Sequence, residues 1–267
     1  REESMVVVEK PTLSLADSTL SVDLQILLAD GKSISTLTYT ARDSSGKPIP
    51  GMTLKTHAKG LQDFALSEWK DNGNGTYTQL VTSGKTSGAL SLMPQFNGDD
   101  VAKTPALIAI VANMASRADS MIETDQNNYV AGKPIGVKVT LKDENGNGVT
   151  GRKELLKQAV KVDNTKTDAV SAWTEESEGV YKANYTAHLI GDKLTAQLTM
   201  PGWQTKHSDA FSIAGDKDTA KIAAMQITAN NAVARRDHNT VAVTVRDVHQ
   251  NLLQGQNVTF TVVNGAA

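Results

Sequence analysis

The chain lacks cysteine, is poor in aromatics and has no long apolar run, and each shortage closes off a class of protein. With no cysteine among 267 residues, disulfides, thiolate metal sites and cysteine nucleophiles are excluded. A domain of about 100 residues can hold a core without cross-links. Such a chain suits a cytosolic protein, or a bacterial exported protein that crosses an oxidising periplasm without stray pairing. No stretch reaches the about 18 apolar residues of a membrane helix; the longest, Ala106 to Ala112, is of strand length. Neither sign of charge dominates: 27 basic residues stand against 29 acidic ones, for a net charge of −2. Phosphate binding needs a basic face, so nucleic acid is not an expected partner. The Arg235–Arg236 pair is too small to make a groove, and no polybasic run points to a membrane surface. Proline (7) and glycine (20) are too few for disorder or a collagen repeat. The chain begins Arg1-Glu2-Glu3-Ser4 and ends Gly265-Ala266-Ala267, which reads as a segment of something longer.

What is present is a repeat, carried by turn chemistry. Thr38 to Asp43 leads into Ser44-Ser45-Gly46 and then Gly51. Val139 to Asp143 leads into Glu144-Asn145-Gly146 and then Gly151. Val243 to Asp247 leads into Val248-His249-Gln250-Asn251 and then Gly255. Aspartate and glycine are 8 apart each time, and the aspartates recur after 100 and then 104 residues. A second anchor runs in parallel. Trp69 and Tyr77 are 8 apart, as are Trp173 and Tyr181, and each tyrosine closes a Gly-x-Tyr. Leu90 and Leu194 follow 13 residues later, then the steps Met93-Pro94 and Met200-Pro201.

Between anchors the texture is that of strands. Val137, Val139 and Leu141 alternate with Lys138, Thr140 and Lys142. Val241, Val243 and Val245 alternate in the same way, as do Val258, Phe260 and Val262. A period of two sends one set inward and the other into water. Turn residues punctuate the chain every 8–12 residues or so, as in a β-sandwich. One stretch, Arg152 to Ala159, has helical character and sits where the second repeat is longer. The reading is therefore all-β: tandem immunoglobulin-like β-sandwiches in an elongated array. Its parts are the end of a preceding module with a linker at 1–12, modules at 13–114 and 119–216, and a partial third at 221–267. Linkers near 115–122 and 215–224 are short enough for a semi-rigid rod.

At Asp247 to Val262 the sequence resembles the bacterial Ig-like repeat of the intimin/invasin family: a strand ending in Asp, a polar turn, a Gly, then a Val-Thr-Phe-Thr-Val strand. The Trp69/Tyr77 and Trp173/Tyr181 pairs resemble the same family's stalk domains. The resemblance implies an outer-membrane β-barrel anchor outside this segment, and a run of extracellular Ig-like domains on the bacterial cell surface. It also implies attachment to a host cell-surface or extracellular-matrix protein, often through a distal tip. The expectation is a monomeric stalk or binding region without catalysis or cofactor, with no receptor residues carried over. The rival expectation is an Ig-like spacer of a secreted carbohydrate-active enzyme. In either case the Gly-x-Tyr can supply a tyrosine corner, whose hydroxyl ties down a crossover.

Several motifs imitate chemistry. Asp143-Glu144-Asn145-Gly146-Asn147-Gly148 with Glu154 fits the calcium loop of an EF-hand. That loop needs a helix before it, however, and here a strand from Ile135 to Lys142 precedes it. Hairpin turns select the same residues. Asp71-Asn72-Gly73-Asn74-Gly75 has glycine where a third ligand belongs. Gly84-Lys85-Thr86 has the end of a phosphate loop, but Gln79 stands where its first glycine should be. Asp99-Asp100 and Glu175-Glu176 are sequence neighbours, which on strands face opposite ways. His57, His188, His207, His238 and His249 lack metal-ligand spacing. Trp203 reads as a turn residue at a sandwich end, and Asn74, Asn184 and Asn257 open sequons by pattern alone. No catalytic, cofactor or metal residue is assigned. Equilibrium dialysis is expected to show no calcium binding tighter than about millimolar, in the range of weak extracellular modules. Micromolar binding that Asp143→Ala abolishes would sink that expectation.

Overall fold

A computed structural model describes residues 12–228, 240–261 and 263. The expected preceding-module strand, Arg235, Arg236, His238 and Val262 lie outside the described residues. The chain divides into two compact units: residues 1–120 with 141–150, and 121–140 with 151–267.

The first unit holds β1 (Thr19–Val22), β2 (Ile26–Leu28), β3 (Ile34–Thr40), β4 (Leu54–Gly60), β5 (Phe64–Leu66), β6 (Lys70–Asp71), β7 (Thr76–Ser83), β8 (Gly88–Phe96), β9 (Asp99–Asp100) and β10 (Ala106–Val111). They make two five-stranded sheets, β1-β3-β7-β5 with β6 on β7, and β2-β10-β8-β4 with β9 on β8. Alternation does the sorting: Ala106, Ile108 and Ile110 of β10 are buried while Leu107, Ala109 and Val111 face out. Leu37 and Val81 from one sheet meet Leu27, Leu90, Leu92 and Ile108 from the other in a single buried cluster. The chain changes sheets between β1 and β2, where Asp23 accepts the Thr36 amide (2.7 Å) and the Ser35 hydroxyl (2.9 Å). β2 then runs parallel to β10. Pro94 sits inside β8 without breaking it. Its carbonyl accepts from the Val101 amide, so its nitrogen faces the gap between β9 and β10, where no ladder hydrogen bond is lost.

The tyrosine corner is present. The hydroxyl of the fully buried Tyr77 donates to the Ile49 carbonyl (2.7 Å) and accepts from the Met52 amide (2.9 Å). It thereby fastens the crossover from β3 to β4, whose peptide groups have no strand partner there.

The second unit repeats the plan. It holds β11 (Met121–Thr124), β12 (Asn128–Val130), β13 (Pro134–Thr140), α1 (Lys153–Ala159), β14 (Val160–Val162), β15 (Thr174–Ser177), β16 (Val180–Thr186), β17 (Gly191–Leu194), β18 (Ala196–Leu198), β19 (Lys206–His207), β20 (Phe211–Ala214), β21 (Lys221–Thr228) and β22 (Thr240–Arg246). The sheet β11-β13-β16-β15 matches β1-β3-β7-β5, and β12 lies parallel to β20 as β2 does to β10. The counterpart of β8 is broken into β17 and β18, beside a left-handed Lys193 (φ 54°). The helix α1 falls on the expected insertion and buries Leu156 and Ala159. The Met-Pro steps differ in outcome: Met93-Pro94 lies in a strand, Met200-Pro201 in a turn.

β21 and β22 pair as an antiparallel two-stranded sheet. The alternation at Val258 and Phe260 does not become a strand, because none of the described residues pairs with 256–261, and Phe260 is exposed. A pattern of two can select a face only where a neighbouring strand supplies hydrogen bonds. Tyr77→Phe should cost about 1–3 kcal/mol in urea unfolding, since it leaves the Ile49 carbonyl and Met52 amide buried without a partner. An unfolding midpoint unchanged from wild type would contradict this account of the crossover.

Candidate functional site

The calcium-like loop is a clasp built from an aspartate and an asparagine. β13 delivers Asp143 to a tight turn in which Gly146 takes a left-handed φ of 84°. One oxygen of Asp143 accepts the amides of Asn145 (2.9 Å) and Asn147 (2.8 Å). The other accepts the Asn147 side-chain amide (2.9 Å) and the Asn113 backbone amide (3.0 Å). Four N–H donors thus surround a carboxylate that is 0% exposed. Asn147 in turn reaches the loop before β8. Its amide donates to the Lys85 carbonyl (2.7 Å) and its oxygen accepts from the Ser87 amide (2.9 Å). The side chain thereby pairs with that loop as a peptide group of a neighbouring strand would. The Asn145 amide adds a bond to the Ala29 carbonyl (3.2 Å). All of these contacts lie within the first unit.

The second unit contains the same device. Asp247 accepts the amides of His249 and Asn251, each at 2.8 Å, on one oxygen. The other takes the Asn251 side chain (2.9 Å) and the Asp216 backbone amide (3.0 Å). Asn251 donates to the His188 carbonyl (2.8 Å) and accepts from the Ile190 amide (3.0 Å). Gly215 makes room for it: a Cβ there would sit 2.2 Å from a methyl of Leu253. The first turn keeps only half of the pattern. Asp43 accepts the Ser45 and Lys47 amides at 2.9 Å each, but Lys47 occupies the asparagine position and is exposed.

Burial pushes the Asp143 carboxyl up, but the Asn147 side chain and the amides of Asn147, Asn113 and Asn145 outweigh it, and its pKa falls below the ordinary value. Asp247 behaves alike: burial raises it, while Asn251, Asp216 and His249 together bring it below the ordinary value. With both oxygens committed to N–H donors, these carboxylates fasten loops.

The other sequence candidates are separated or spent on structure. Glu154, on the exposed side of α1, pairs with Lys157 at 2.8 Å. Asp71 caps its own turn and accepts the Gly51 amide (2.8 Å), while Asn74 binds Thr76. The Gly84-Lys85-Thr86 loop is anchored by Asp63, which accepts the Lys85 amide (2.8 Å) and the Thr86 hydroxyl (3.2 Å). That loop is the one the first clasp grips. Asp100 accepts from Gln95, and Glu175 from the Gly151 and Gly179 amides. Of the histidines, His57 is exposed on β4 and His207 touches Thr195. His188 and His249 are brought edge to face at 5.8 Å, beside the second clasp. Trp203 follows the turn at Pro201-Gly202 and is half-buried.

The asparagines escaped the sequence reading, although a signal existed. Asp143 and Asp247 each have asparagine four residues on, and Asp43 has lysine. Asn147→Ala and Asn251→Ala should each destabilise their unit by about 1–3 kcal/mol. Amide exchange at Ser87 or Ile190 is expected to accelerate correspondingly; unchanged protection in either variant would refute the clasp. Because the native carboxyl pKa values are lowered, the clasps contribute fully above the unfolded value of about 3.9 and are lost as pH falls through the native one. The exchange at Asn113 should therefore rise below about pH 4, and Asp143→Asn should flatten that dependence.

Comparison with known proteins gives a consistent picture. The family model "Invasin, domain 3" matches residues 14–113. The chain is 45% identical, over its full length, to the inverse autotransporter adhesin YeeJ of Escherichia coli K12, and spans 12% of that protein. Among solved structures it resembles the E. coli adhesin FdeC, with a TM-score of 0.68 and 25% identity, over 93% of this chain and 79% of that one. It shares the fold of invasin, an integrin-binding bacterial protein, with a TM-score of 0.63 and 17% identity, over 83% and 44% of the two chains.

Proposed function

The chain belongs to the intimin/invasin family of bacterial surface adhesins, and from that footing we propose that it is a non-catalytic spacer in an extracellular Ig-like array. It is a surface-exposed part of an adhesin anchored in the outer membrane. On this reading the modules are 13–114 and 119–216, with a partial third at 221–267 and the end of a preceding one at 1–12. The family match at 14–113 supports the first boundary. The partner of the whole protein is a host cell-surface or extracellular-matrix protein. Attachment is through a distal region that this stretch holds away from the membrane, and the chain itself is monomeric. The enzyme-spacer alternative gains nothing from the relatives, which are adhesins.

The observation that carries the proposal is the repeated clasp. Asp143/Asn147 and Asp247/Asn251 bind main-chain atoms at corresponding places, 85 and 87 in one case and 188 and 190 in the other. Main-chain partners are indifferent to the sequence of the loop they grip. One clasp can therefore serve many diverging repeats, as an array needs. The conserved geometry is spent on fastening, while the outward side chains vary.

The test is replacement in the full-length adhesin on bacteria. Deleting residues 13–216 should reduce attachment to epithelial cells or matrix proteins. Exchanging them for unrelated Ig-like modules of equal length should restore it, and the purified chain should bind neither target saturably. Failure of the equal-length exchange, with surface display intact, would place a receptor contact inside these residues and overturn the spacer reading.

A further inference from the structure

The two repeats solve one packing problem differently, and the difference leaves a pocket. In the first unit the Trp69 indole donates to the Thr56 hydroxyl (2.9 Å), which donates to the Gln79 side chain (2.6 Å). In the second, Trp173 occupies the place of Trp69. The register puts Val160 where Thr56 stands: Thr56 lies opposite Pro94, Val160 opposite Leu198, and these are each four residues past Leu90 and Leu194. Ala183 takes the place of Gln79, two residues past the repeat's tyrosine. The polar chain has been deleted and the indole N–H kept. Trp173 is 4% exposed, and its Nε1 is buried with no hydrogen-bond partner. The Tyr185 ring lies 6.4 Å away, edge on, and its hydroxyl is near the indole without completing a hydrogen bond.

This indole forms part of the wall of a cavity of about 740 Å³ in the second unit. Its floor is apolar, from Val160, Val162, Val170 and Tyr185, and Lys157, Lys161 and Lys166 stand around it. The cavity lies beside α1 and the loop that follows β14, the stretch where the second repeat is longer. A buried donor without a partner costs about 1–3 kcal/mol, and the first repeat shows that a threonine at the Val160 position would remove that cost. A fold-preserving remedy thus exists in the same chain and is not used here.

We propose that this cavity is a binding site for a small amphiphilic anion, with an apolar body and a carboxylate or sulfonate. The apolar floor takes the body, the lysines attract the charge, and an acceptor on the ligand satisfies the Trp173 N–H. That N–H is shielded from bulk water, so the acceptor that reaches it must arrive on a molecule that excludes water as well. The volume lies within the range of small-molecule sites. The site is independent of the spacer reading: it needs no receptor and no distal tip.

The probe is 2-naphthoate, titrated into the 267-residue chain while the three indole N–H resonances are followed by NMR. Saturable movement of the Trp173 resonance, with Trp69 unmoved, is expected. The neutral 2-naphthamide should bind roughly fivefold more weakly, as should the Lys161→Ala/Lys166→Ala double variant. Val160→Thr, which gives the indole the partner found in the first repeat, should weaken binding about tenfold and leave the chain at least as stable. No saturable shift at Trp173 would overturn the proposal. So would naphthoate binding that persists unchanged in the folded Val160→Thr and double-lysine variants.

Discussion

Each repeat must bury one face of two sheets and then bring the chain across between them without a disulfide. The crossover is the weak point, because its peptide groups leave the ladder while still buried. The buried tyrosine hydroxyl answers that constraint. Tyr77 both donates and accepts, closing a carbonyl and an amide on either side of the crossover. Tyr181 accepts from the Arg152 amide (3.1 Å) at the matching place, just before α1. The rest follows from that pin. With the crossover fixed, β3 and β7 hold their register, and the inward set of Leu37, Tyr39 and Val81 can close on the opposite sheet. The insertion carrying α1 can then be tolerated, because it starts from a fastened residue.

The clasps apply the same economy to turns. A charged group is normally costly to bury, yet Asp143 and Asp247 are buried and stay ionised because four N–H groups converge on each. Two come from the turn itself, one from the asparagine side chain, and one from a loop elsewhere in the chain. The local bonds shape the turn and the remote one positions it. The Asp43 turn makes the division visible: it retains the local bonds, carries lysine in place of asparagine, and lies at an exposed position.

Much of this was legible in the sequence, for a physical reason. Alternation and turn residues are local signals, so β3, β10, β13 and β22, the tyrosine corner and the helical insertion could be read directly from spacing. The clasp could not be read as a clasp, because Asp, Asn and Gly in a turn serve a metal, a hairpin or a docking contact equally well. What separates these uses is which donors surround the carboxylate. The decisive donors, the Asn113 and Asp216 amides, lie about 30 residues away in sequence, at 30 and 31 positions. The Val258–Phe260 pattern failed for the converse reason: its local signal was correct, and the partner strand that would realise it is not among the described residues.

The comparison of repeats within one chain also separates what the fold demands from what it permits. Tyr77 and Tyr181, and the aspartates of the three turns, recur because each secures backbone that has no other partner. Thr56 and Val160, or Gln79 and Ala183, differ at places where either choice completes a sandwich. The fold therefore does not require the orphaned Trp173 N–H; it results from substitutions around a retained tryptophan. Keeping a large aromatic while removing both of its polar supports sacrifices a hydrogen bond and preserves the packed volume. Beneath an insertion that only the second repeat carries, that choice produces a cavity instead of a tighter core.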